Sequence, residues 1–165
     1  MTFAPLANLA SGLAVVFAVI FGTLQIRQMA KTRALFTATE LVHAMLTAEF
    51  ARTVRIVMTL PDDADPAQIS DDPEMAAAAL SIGHVFESLG VLVFHRILPL
   101  NLVDDLMGGY VRQIWRKLRR HTEQRRIDVG ISQGEWMQWL AERLGEYPSP
   151  GKGAGAHVAH RHWRP

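Results

Sequence analysis

From residue 3 to residue 26 the chain contains no Asp, Glu, Lys, Arg or His. Nothing else in the sequence limits the fold as strongly. Wound as a helix, residues 4–26 span roughly 34 Å at about 1.5 Å per residue. That length crosses a hydrocarbon core of about 30 Å with some tilt. Pro5 suits the first turn of such a helix, where its missing N–H is no loss. Leu6, Leu9, Leu13, Val15, Val16, Phe17, Val19, Ile20, Phe21 and Leu24 supply lipid-facing bulk. A cleaved signal peptide carries a basic stretch ahead of a shorter apolar one. Here no Lys or Arg precedes a long run, so residues 1–26 read as an uncleaved anchor. The rival reading is a soluble core helix.

Arg27, Lys31 and Arg33 follow the run directly. Positive charge marks the cytoplasmic side of a span. Residues 27–165 are therefore expected in the cytoplasm, with a short N-terminus outside and the membrane crossed once. One face of the anchor reads Ala10, Ala14, Ala18, Gly22, and small residues at this spacing let two membrane helices approach closely. A homodimer seam is one reading; recurrence of small residues in an alanine-rich chain is the other.

The length of 165 residues fits an anchor, a domain over 27–145 and a tail over 146–165. Roughly 120 residues suffice for one modest core. There are no cysteines, which excludes disulfides, thiolate metal sites and Cys nucleophiles. The net charge of +1 makes no global case for nucleic acid.

Apart from the 61–72 loop and the 146–165 tail, which is expected to be disordered, the segments beyond the anchor read as helical. The stretch 27–60 has no Gly or Pro, and Val42, Leu46, Phe50, Val54 and Met58 form a ridge at helical spacing, so one helix is expected from the membrane to Pro61. Residues 61–72 form an acidic loop that lacks the Gly and Glu of a calcium-binding loop. Asp72 caps a second helix with Pro73 at its first position. That helix is expected to run to about Leu98 as the buried centre of the fold, because apolar residues cover most of its circumference. Asn101 is the expected cap of a third helix over 102–126, with Val103, Met107, Tyr110, Ile114 and Leu118 inward and Gly108-Gly109 as a bend. Ser132 and Glu135 have capping-box spacing for a last helix, with Trp136, Met137, Leu140 and Leu144 on one face.

The sharpest surface feature is a basic side on the third helix: Arg112, Arg116, Lys117, Arg119 and Arg120, continued by Arg125 and Arg126. Beside a membrane anchor, anionic headgroups are its natural partner, at about 1 kcal/mol per cation. An acidic protein partner fits the same charge, and nucleic acid ranks below both. The bland reading is a solvated face neutralised by the 61–74 loop. His84 and Glu87 are spaced as H-x-x-E, whereas a di-iron bundle needs two E-x-x-H copies and two further Glu residues. A buried hydrogen bond between Glu87 and a His or Arg side chain is the simpler expectation. His84, Glu87 and His95 remain the one place where an unrecognised catalytic site could lie. His157, His160 and His162 in the tail could hold Zn²⁺ or Ni²⁺ weakly. No metal, cofactor or catalytic residue is expected, since no phosphate loop, nucleophile elbow or dinucleotide fingerprint is present.

The segments Phe86-Glu87-Ser88-Leu89-Gly90, Asp104-Asp105-Leu106-Met107-Gly108, Trp115-Arg116-Lys117-Leu118-Arg119 and Trp139-Leu140-Ala141, behind an N-terminal anchor, resemble a family of bacterial membrane-anchored helical proteins known only as a domain of unknown function. The resemblance covers about residues 5–145. It implies an inner-membrane address and a helical fold, and it brings no activity or cofactor.

The sequence thus predicts an all-α protein: one N-terminal transmembrane helix continuing into a cytoplasmic bundle of about four helices. The expected role is a non-catalytic, membrane-tethered interaction or scaffold module touching membrane lipid or an unidentified protein, with a homodimer as a further option.

Overall fold

The computed structural model describes residues 15, 17–29, 32, 36, 39–40, 42–43, 47–130, 132–146, 156–159 and 161–164. Among these, every regular element is helical. The chain divides into two units, Met1–Thr39 and Glu40–Pro165.

In the first unit residues 17–29 are helical. Their large apolar side chains are uncovered, with Phe17 68% and Phe21 70% exposed. Thr23 turns its hydroxyl back onto its own helix, donating to the carbonyls of Val19 (3.0 Å) and Ile20 (2.8 Å), which hides the one hydroxyl of the segment from an apolar surround. Most of the expected anchor, residues 4–14 and 16, lies outside the described residues, as do Ala10 and Ala14 of the small-residue face. Ala18 is exposed and Gly22 partly so, with nothing within 4 Å of a Cβ at Gly22. Arg27 is exposed, while Lys31 and Arg33 fall outside the described residues.

The second unit holds α1 (Ala48–Met58), α2 (Pro66–Ser70), α3 (Pro73–Phe94), α4 (Leu100–Val103), a π-helical turn (Asp104–Gly108), α5 (Gly109–Val129), α6 (Glu135–Glu146) and the single turn α7 (Ala156–Ala159). The helix expected over 27–60 is broken at Thr47. This residue is extended (φ −72°, ψ 142°), and its hydroxyl accepts from the Phe50 N–H at 3.2 Å. A Thr side chain competes with the helix for backbone N–H groups, so it starts α1 instead of continuing a longer helix.

Helix α3 begins as its sequence requires, with the Asp72 carboxylate accepting from Glu74 (2.9 Å) and Met75 (3.2 Å) and Pro73 in the first turn. It stops at Phe94, short of the expected Leu98. Arg96 takes a left-handed conformation (φ 57°), and the N–H groups of Arg96 and Ile97 return to the carbonyls of Val93 and Leu92 at 2.9 Å each. This is a Schellman stop with arginine where glycine is usual. Ile82, Phe86 and Leu89 on its inner side are fully buried, while Leu80 and Phe94 on the outer side are exposed. Among the described residues α3 is the one helix long and apolar enough to cross a membrane. Its inner stripe nevertheless packs against α1, α2 and α6, as a core helix does.

The expected third helix divides in two. Pro99, not Asn101, precedes α4, and no side chain caps it. The π-helical turn then adds a residue to the helical register. The inner stripe after Met107 consequently falls on Val111, Ile114, Trp115 and Leu118, and Tyr110, expected inside, is exposed. Gly108 makes this possible, because a Cβ there would collide with the Asp104 carboxylate. That carboxylate, 5% exposed, pairs with Arg112 at 2.6 Å. The same guanidinium nitrogen donates to the Leu144 carbonyl at 3.2 Å, near the C-terminal end of α6 where a cation is favourable.

Helix α6 starts later than the Ser132–Glu135 spacing predicts. The Gly134 carbonyl takes the first helical bond, from Gln138 at 2.9 Å. Gly134 stands at φ +77°, and a Cβ there would meet the Thr122 methyl. Helices α3 and α6 cross closely at Gly90, where a Cβ would sit 2.4 Å from the Trp136 carbonyl oxygen. Met137, Leu140 and Leu144 complete the core with Ile82, Phe86 and Ile114. Trp136 is only half-buried and stacks with Phe94 (4.8 Å) and Trp139 (6.0 Å).

Candidate functional site

Helices α3 and α5 are the longest in this unit. Between them lies an open cleft of about 700 Å³, within the range of about 300–1,000 Å³ usual for small-molecule sites. Its walls are largely apolar: Ala76, Ala79, Leu80 and Gly83 from α3, Leu118 from α5 and Met137 from α6. The alanine run at the start of α3 keeps this wall thin, and nothing lies within 4 Å of a Cβ at Gly83.

A few polar groups stand among these side chains: His84 and Glu87 on α3, His121, Thr122 and Arg125 on α5, and Gln133 ahead of α6. Burial pushes His121 below its ordinary value of 6.5, the Arg125 guanidinium adds to this, and the Pro66 backbone pulls the other way. Nδ1 of His121 is buried without a hydrogen-bond partner among the described residues. Arg125 is exposed and makes no hydrogen bond or ion pair among the described residues.

Of the three residues singled out for a catalytic alternative, His84 and Glu87 both line the cleft and His95 does not. His95 caps the C-terminal end of α3 and sets its ring edge-on to Phe94, centroids 5.2 Å apart. It lies eleven residues beyond His84, roughly 16 Å along the axis. Glu87 is already engaged structurally, because its Oε2 accepts the Met137 N–H at 2.9 Å. That N–H is one of the orphan donors of the first turn of α6.

The basic side of α5 is met by the 60–63 loop of the same chain. Arg119 pairs with the Asp63 carboxylate at 2.7 Å, and Arg120 donates to the Asp63 carbonyl at 3.2 Å. Arg116 (3.6 Å) and Lys117 (3.5 Å) reach the Asp62 carboxylate, and Lys117 also donates to the Leu60 carbonyl. Asp63 is itself left-handed (φ 54°), and its N–H donates to the Arg116 carbonyl at 2.8 Å. Arg112 faces inward, on Asp104 and Leu144. Each of the five expected contact residues therefore has an internal partner, and the ion pairs of Arg116 and Arg119 are open to solvent. His157 and His162 are exposed, and His160 lies outside the described residues. Among the described residues no group of three or more His, Asp or Glu side chains is placed to hold a metal ion.

Compared with known proteins, the chain matches no family model, no curated protein and no solved structure.

The cleft was not visible to sequence reasoning, because it lies between two helices distant in the chain. Its sequence trace is Ala76-Ala77-Ala78-Ala79 followed by Gly83, small side chains on a helix that otherwise carries large ones.

Proposed function

We propose that this protein is a membrane-tethered, non-catalytic interaction module. Residues 4–26 form the tether across the inner membrane, Arg27, Lys31 and Arg33 hold the following domain in the cytoplasm, and α1, α3, α5 and α6 make up its small bundle. The observation that carries the reading is the helical segment 17–29, whose large apolar side chains have no cover. An exposed run of this kind marks contact with lipid or another protein.

The basic side of α5 is the surface proposed for anionic lipid or an acidic partner. Ion pairs as exposed as Arg116–Asp62 and Arg119–Asp63 are worth about 0–1 kcal/mol each. An anionic surface offers about the same per cation, so Asp62 and Asp63 act as internal substitutes that such a surface can displace.

Alkaline extraction of membranes, combined with a compartment-specific reporter fused to the C-terminus, tests the tether. Retention in the pellet with a cytoplasmic reporter is expected. Release by alkali, or a reporter outside the cytoplasm, refutes it. For the basic side, binding of the full chain to an added anionic-lipid surface should weaken on Arg116→Glu with Arg120→Glu, with the domain still folded.

A further inference from the structure

The geometry points to the α3–α5 cleft as a binding site for an amphipathic carboxylate, of which a long-chain fatty acid is the simplest member. The floor accounts for the apolar part of such a ligand: Ala76, Leu80, Gly83, Leu118 and Met137 offer hydrocarbon and no hydrogen bonds. The carboxylate is accounted for by Arg125. The other α5 cations described above are engaged by Asp62, Asp63, Asp104 or backbone carbonyls, whereas Arg125 borders the cleft without a partner among the described residues. A guanidinium receives a carboxylate through two parallel N–H donors. Thr122 lines the cleft from the same helix. Glu87, the one carboxylate lining the cleft, is held on the Met137 N–H at the positive end of α6, which offsets its charge.

A docked helix is the competing occupant, and the Arg125 guanidinium at the rim, without a partner among the described residues, favours an anionic ligand over an apolar helix face. Gly83 supports a functional opening. Glycine inside a helix costs about 1 kcal/mol relative to alanine, and here no neighbour requires its small size. A larger residue would fill the cleft.

The assignment stands on the cleft and is independent of the tether. The test uses the full chain in phosphatidylcholine nanodiscs and a hexadecanoic acid carrying a diazirine on its chain, followed by irradiation and peptide mapping. Label is expected on residues 76–87 and 118–125, competed by unlabelled hexadecanoate. Arg125→Gln should lower it about tenfold, and Gly83→Leu should abolish it. Ala76→Leu, on the same wall, serves if Gly83→Leu does not fold. Label confined to residues 4–26 would report the bilayer alone and overturn the assignment. Equal labelling by the corresponding alcohol would overturn it too, as would label unchanged in the variants. A photoreactive residue at Leu80 that crosslinks to a second copy of the chain would replace it with helix docking.

Discussion

Glu87, in the middle of α3, completes the first turn of α6 by accepting the Met137 N–H at 2.9 Å. A cap is ordinarily supplied by the residue just before a helix. Here it comes from fifty residues upstream and ties the last helix of the core to the central one. Loss of an N-terminal cap costs about 1 kcal/mol, and loss of an anion at a helix N-terminus costs up to about 1 kcal/mol more. Glu87→Ala should therefore lower unfolding free energy by about 2 kcal/mol in urea titrations, and Glu87→Gln, which keeps an acceptor oxygen, by about half that. Equal effects of the two changes would mean that the hydrogen bond is not what matters.

Two glycines of α3 make a matched pair. At Gly90 a Cβ would press on the Trp136 backbone, 2.4 Å from its oxygen and 2.8 Å from its carbonyl carbon. Backbone cannot step aside as a flexible side chain can, so Gly90→Ala should destabilise by about 2–3 kcal/mol. At Gly83 nothing lies within 4 Å, and Gly83→Ala should stabilise by about 1 kcal/mol through helix propensity alone. Thermal melts of the two variants should move in opposite directions.

Arg96 holds a left-handed conformation at the end of α3. A residue with a Cβ pays roughly 1 kcal/mol or more there. Arg96→Gly should raise the melting temperature by a few degrees, provided the Arg96 side chain makes no compensating contact. A fall would show that it does.

His121 sets a pH dependence whose sign is fixed by its environment. Its folded-state value lies below 6.5, first through burial and then through Arg125. The unfolded chain therefore binds a proton more readily, and stability rises with pH across this window. The contribution is fully present above pH 6.5 and is lost as pH falls through the folded value. Urea midpoints measured from neutral pH downward should fall more steeply for the natural chain than for His121→Gln. Parallel curves would place the titration elsewhere.

Features decided by neighbours in sequence were legible. The start of α3 follows from Asp72-Pro73, and the all-helical class from spacing alone. The break at Thr47 was not legible, because a threonine within an apolar repeat permits either continuation or a cap, and packing chooses. The inward turn of Val111 in place of Tyr110 depends on one extra residue in the π-helical turn, which a fixed 3.6-residue period cannot represent. The basic side of α5 was read from local spacing and its neutralisation by the 61–74 loop was one of the readings, but which acid meets which cation depends on segments more than fifty residues apart. The Glu87 cap and the cleft have the same character: each exists only once distant helices are assembled.

Both ends of α6 are fastened by residues made long before it, Glu87 at the first turn and Arg112 at the last. During synthesis α3 therefore leaves the ribosome well ahead of the helix that covers Phe86 and Leu89. In that interval it has the length and apolarity of a membrane span, and on the tethered reading it emerges beside a bilayer. Until α6 arrives, the apolar stripe of α3 lacks one of the helices that cover it, and a ribosome stalled before residue 135 would expose that interval to direct measurement.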